Sequence, residues 1–134
     1  MIDQIYPSPS FLQIKTITPE RREFLAKLGS KAVMDSYVER ESQWRAIYQY
    51  GVENGLLGLT LSTTDQLRWA IITPDNQFQG SYRYSVFDRR GFFGHGTYPQ
   101  AEKAVEAAFD IGYRCVDDMQ RLNAVSELWQ QSTQ

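Results

Sequence analysis

The order of patterns along the chain predicts an α+β fold: an antiparallel meander of three or four strands, with N-terminal and C-terminal helices packed mainly on one face. Three observations carry this expectation. Helical periodicity dominates residues 18–55, short β-branched and aromatic runs dominate 56–98, and helical periodicity returns after Pro99. At 134 residues the chain has the length of one domain with a core of its own. It reads as a single unit over 1–134, with an extended segment at 1–10 and a fraying tail at 131–134.

The first segment holds "YPSPS", whose prolines cannot donate to a regular ladder, so it should lie extended on the surface. "FLQIKTI" alternates Leu12 and Ile14 with Gln13 and Lys15 and is consistent with an edge strand. "TPERREFLAKLG" predicts a short helix, capped by Thr18, opened by Pro19 and stopped by Gly29. In "SKAVMDSYVERESQWRAIYQYGVENG" a stripe joins Val33, Met34, Tyr37, Trp44, Ile47, Tyr48 and Val52. Arg40 and Glu41 fall inside that stripe, and the cost of burying charge favours a break near Ser42.

The period then changes to two. "LLGLTLS", "LRWAIIT", "SYRYSVFD" and "GFFGHGTY" are separated by "TTDQ", "PDNQFQG" and "RRG", spacings that suit hairpins. Alternation puts Leu67, Trp69 and Ile71 on one face and Tyr82, Tyr84 and Val86 opposite Arg83 and Ser85. Pro99 ends the last strand, with Thr97 or Tyr98 near the cap of a helix whose apolar stripe is Ala101, Ala104, Val105, Ala108 and Phe109. Gly112 stops it, and a final helix is expected from about Asp117, with Met119, Leu122, Val125, Leu128 and Trp129 inward.

Chemistry-bearing residues are sparse. The sole histidine, His95, stands in "GFFGHGTYPQAEKAVEAAF" between Gly94 and Gly96. Glycines there could open amides to an anion beside an imidazole acid or base. They also let a strand lie close under an alanine-rich helix, and this is the preferred reading. On that strand His95 should share a face with Phe93 and Thr97, and Phe92 should point the other way. The one cysteine, Cys115, precedes Asp117 and Asp118, which oppose thiolate formation and suit helix capping. No metal-ligand spacing, phosphate loop or dinucleotide fingerprint is found, so no catalytic residue, metal or cofactor is expected.

Net charge is −2, against a general polyanion binder, although residues 66–98 carry four arginines against two aspartates. Aromatic residues make up 13% of the chain, a surplus that can serve interfaces. No apolar run reaches the ~20 residues of a membrane span, and the N-terminus lacks the features of a signal peptide. A cytoplasmic protein that does not engage membranes is expected.

The leading function is therefore a small non-enzymatic protein-binding module, of the kind found among phage and plasmid accessory proteins, including inhibitors of host proteins. Its expected partner is another protein, with a second copy of the chain as a further candidate. Expected contact residues are Tyr37, Trp44 and Tyr48 on a helix, and Arg68, Arg83, Tyr84, Arg89 and Arg90 on the sheet. The alternative is nucleic-acid binding by the sheet, where arginines interleave with aromatics. A second alternative is a small enzyme using His95. Residues 82–110, with a strand ending "GTY" and a helix "AEKAVEAAFD", resemble locally the sheet and helix of plant AP2-type and integrase arm-binding domains. Low positive charge departs from those families. The strand–strand–strand–helix order is also similar to double-stranded RNA-binding domains, without their basic helix start.

Overall fold

The computed structural model describes residues 4–117. Their elements are α1 (Pro9–Gln13), α2 (Pro19–Leu28), α3 (Lys31–Asn54), β1 (Thr60–Ser62), β2 (Trp69–Pro74), β3 (Tyr82–Asp88), β4 (Gly91–Tyr98), α4 (Ala101–Asp110) and β5 (Cys115–Val116). The strands form one antiparallel sheet in the order β4-β3-β2-β1-β5. The class is α+β: a meander of β1 to β4, flanked in sequence by helices, with the two-residue β5 added beside β1.

Local chemistry explains α2 well. Thr18 accepts the Arg21 N–H at 3.1 Å, Pro19 occupies the first turn, and Gly29 ends the helix at φ 69°. Residues 9 and 10, expected at the end of the extended segment, and residues 11–13, expected to begin an edge strand, instead form α1. Ser8 stands in the extended N-cap conformation and Pro9 fills the first turn, so the local start signal overrides the alternation. Gln4 and Ile5 are also more than a loose extension, because the Gln4 carboxamide accepts from Leu57 N–H and Ile5 C=O accepts from Leu56 N–H. Gly55, at φ +85°, passes beneath Gln4, where any Cβ would collide with that side chain.

The expected break near Ser42 does not occur, and α3 runs unbroken from Lys31 to Asn54. Glu41 is only 8% exposed. Its carboxylate accepts the Ile17 N–H, holds Arg45 Nε at 3.3 Å and lies 3.6 Å from Arg22 Nη2. The Ile17 amide, followed by Arg45 and Arg22, holds its pKa below the ordinary value against the opposing effect of burial. A compensated carboxylate removes the reason for the helix to break. Arg40 is exposed, with its guanidinium 5.7 Å from the Tyr37 ring centroid.

The core lies between one face of the sheet and the helices. Phe11 stacks on Trp44 at 4.5 Å, and Trp44 meets Phe109 edge-on at 4.9 Å. The Trp44 indole donates to Phe11 C=O at 2.8 Å, satisfying its one polar atom. Around them pack Ile47, Leu56, Leu59, Leu61, Ala70, Ile72 and Val86. The alanine face of α4 lies against β2, β3 and β4. Its N-cap is Gln100 rather than Thr97 or Tyr98, because both of those residues remain in β4.

Asp117 belongs to the sheet edge: its N–H donates to Thr60 C=O and its carboxylate accepts from the Trp69 indole at 3.0 Å. The helix expected from about Asp117, with Met119, Leu122, Val125, Leu128 and Trp129, lies beyond Asp117 and so outside the described residues. The same holds for Asp118 and the tail. Among the described residues no helix is long and apolar enough to cross a membrane.

Candidate functional site

Strand β4 lies at one end of the sheet order, so among the described residues one of its two edges has no neighbouring strand. Hydrogen-bond alternation identifies what that edge presents. Asp75 N–H donates to Ser81 C=O where β2 meets β3, which assigns Arg83 and Ser85 to bonding with β2 and Tyr82, Tyr84 and Val86 to bonding with β4. Their partners are Tyr98, Gly96 and Gly94. The intervening residues, His95 and Thr97, therefore turn their backbone N–H and C=O outward. Strand edges of this kind accept a further strand.

A bulge shapes the other half of the strand. Val86 pairs with Gly94 and Phe87 with Phe92, leaving Phe93 as the extra residue. The expected alternation is corrected by this one-residue slip. Phe92, not Phe93, accompanies His95, with ring centroids 6.1 Å apart, and Phe92 also packs edge-on to Phe87. Phe93 instead lies under the Arg68 guanidinium, 5.9 Å from its centroid. Phe92 and Phe93 remain 54% and 50% exposed, a pair of large apolar rings beside open backbone groups.

The glycines flanking His95 also have a specific use. A Cβ on Gly96 would approach the Tyr84 ring to 2.7 Å, and one on Gly94 would touch Val86 at 3.4 Å. Gly96 thus makes room for Tyr84, which lies across the strand and stacks on Tyr98 at 5.9 Å. The close neighbour expected from the sequence was the helix itself; the space is taken by a tyrosine of β3. The His95 ring is exposed and receives no hydrogen bond among the described residues. Cys115 is half-buried in β5, and burial, with Glu39 nearby, raises the pKa of its thiol, opposing thiolate chemistry. Among the described residues no three His, Cys, Asp or Glu side chains gather to hold a metal.

The residues expected to make contacts are dispersed by the fold. Trp44 is fully buried and so belongs to the interior and not to an anchor patch, while Tyr48 is half-buried and packs against the core. Tyr37 is half-buried, its hydroxyl accepting from Arg21 Nη2 at 2.9 Å. Tyr84 faces the helices, and burial followed by the neighbouring Tyr98 raises its pKa. Arg83 is on the opposite face, where its Nε donates to Ser85 Oγ at 3.1 Å. Arg68, Arg89 and Arg90 do converge, lining a shallow depression with Leu67 and Asp88 at the β3–β4 turn.

Phe92 and Phe93 were missed as site residues because "GFFG" reads as an ordinary strand. The signal was available in their position: both neighbouring rings sit in the last strand of a meander, which tends to be an edge. The edge is tied to the body of the protein by Asp75. Its carboxylate accepts from Gln77 and Phe78 N–H in the β2–β3 turn and from Thr97 Oγ1 at 2.8 Å. The Gln77 amide, then Thr97 and Phe78, hold the Asp75 pKa below its ordinary value. No protein-family model, curated protein or solved structure matches this chain.

Proposed function

We propose that this protein is a non-enzymatic protein-binding module that captures an extended segment of a partner protein along the open edge of β4. The observation that carries the reading is the coincidence on one edge of outward backbone groups at His95 and Thr97 with exposed Phe92 and Phe93. Backbone pairing supplies affinity in such a contact and side-chain pockets supply selectivity. Occupation of a partner's surface in this way suits an accessory or inhibitory role.

The test is a photo-crosslinking side chain at position 92 in the full chain, followed by identification of the captured protein. His95→Pro then probes the mode, because proline removes an N–H that points away from β3 and is tolerated on edge strands. Binding of the captured protein should fall at least tenfold (about 1.4 kcal/mol), with the folded spectrum retained. Unchanged binding by this variant contradicts strand addition.

The second reading is nucleic-acid binding, favoured by the convergence of Arg68, Arg89 and Arg90 beside the Phe93 ring. Affinity for single-stranded oligonucleotides at low salt should then fall, and its salt slope flatten, in Arg68→Ala with Arg90→Ala. Absence of binding at low salt eliminates it.

A further inference from the structure

A cleft distinct from the β4 edge lies where the α1–α2 connection crosses α3. It encloses about 410 Å3 and is lined by Ile14 to Thr18, Arg21, Tyr37 and Arg40. That volume is within the ~300–1,000 Å3 usual for small-molecule sites. Its lining contains three basic side chains and no carboxylate. Lys15 is neutralised by Asp110 at 2.8 Å. Arg21 and Arg40 form no ion pair among the described residues, so the cleft holds two unbalanced positive charges.

Both guanidiniums are organised by one ring. Arg21 and Arg40 lie 5.4 and 5.7 Å from the Tyr37 centroid, and Arg21 also bonds the Tyr37 hydroxyl. Glu41, next to Arg40 in sequence, is engaged by the Ile17 N–H, Arg22 and Arg45. It therefore fixes the wall of the cleft without cancelling its charge. The same Tyr37 oxygen accepts from Arg21, leaving its own O–H to donate outward. Thr18 Oγ1 accepts the Arg21 N–H and likewise keeps a hydroxyl proton to offer. Ile14, Ile17 and the Tyr37 ring supply apolar walls. Arg21 beside it also lowers the Tyr37 pKa, by its hydrogen bond first and its charge second.

From this arrangement we infer that the cleft binds a small organic anion, a carboxylate or phosphate attached to a flat or branched apolar group. The guanidiniums and the two hydroxyls receive the oxyanion, and the isoleucines and the Tyr37 ring receive the apolar part. The site shares no residue with the β4 edge, and its success or failure is independent of the partner reading.

The test is an amide NMR titration of the full chain with phenyl phosphate, benzoate and the neutral control benzyl alcohol, at low salt. Saturable shifts are expected at residues 14–18, 21, 37 and 40 with at least one anion and not with the alcohol. The tighter of the two anions identifies the oxyanion class. Arg21→Gln and Arg40→Gln, both exposed positions that should fold normally, should each weaken binding about tenfold. Tyr37→Phe should weaken it less, since the ring is kept. Absence of saturable shifts with both anions overturns the inference, as does binding unchanged in the two arginine variants.

Discussion

The two edges of the sheet are built on opposite plans. On the β1 side every β1 residue is buried, β5 pairs along β1 as the terminal strand, and the Trp69 indole in β2 donates to the Asp117 carboxylate. At the β4 edge, three strands from β1 in the sheet order, Phe92 and Phe93 are exposed and His95 and Thr97 direct backbone groups outward. β1 is covered by a further strand of the chain, whereas among the described residues β4 has no strand beyond it and is held by pairing with β3, by α4 and by Asp75. The contrast teaches that the open edge is a local arrangement and not a general looseness of the sheet.

Substitutions should separate the two plans. The largest effect is expected from Trp69→Ala in β2, beside the covered β1, a loss of about 3–5 kcal/mol in urea unfolding. A loss below ~1 kcal/mol would show that this side of the sheet is not sealed by packing. Gly96→Ala comes next. Its new methyl would press on the Tyr84 ring, and overpacking of this kind costs about 1–3 kcal/mol. Chemical shifts of Tyr84 and Tyr98 should move with it, and an unchanged Tm would contradict the close approach.

Acid should loosen the open edge through Asp75. Its folded pKa is depressed, so its contribution is present above the unfolded value of about 3.9 and is lost as pH falls through the lower folded value. The Thr97 amide and side-chain resonances should change in that acid range, and Asp75→Asn should abolish the change. The smallest stability effect is expected from Phe92→Ala, less than about 1 kcal/mol because the ring is half exposed. Capture of a partner should nevertheless weaken clearly in this variant. Equal loss of stability and binding would make Phe92 a packing residue.

Much of the fold was legible because its signals are local. Thr18, Pro19 and Gly29 mark both ends of α2, and the turn runs between strands gave the meander its order. Features set by distant partners were not legible. The continuity of α3 depends on the Ile17 amide, which reaches Glu41 from another segment. The role of Trp44 was ambiguous because a helical stripe of aromatics looks the same whether it meets a core or a partner. The bulge at Phe93 displaces the alternation by one residue, and no composition signal announces it. The cleft at Tyr37 escaped for a similar reason, since Lys15, Arg21 and Arg40 are brought together only by the crossing of the α1–α2 connection over α3.

The central claim is that β4 carries a free edge, and amide hydrogen exchange of the dilute, uncomplexed protein tests it most directly. The N–H groups of His95 and Thr97 should exchange rapidly, while those of Gly96 and Tyr98, turned toward β3, should be protected. Protection of His95 and Thr97 equal to that of their neighbours would mean that the edge is already filled, and would contradict the account.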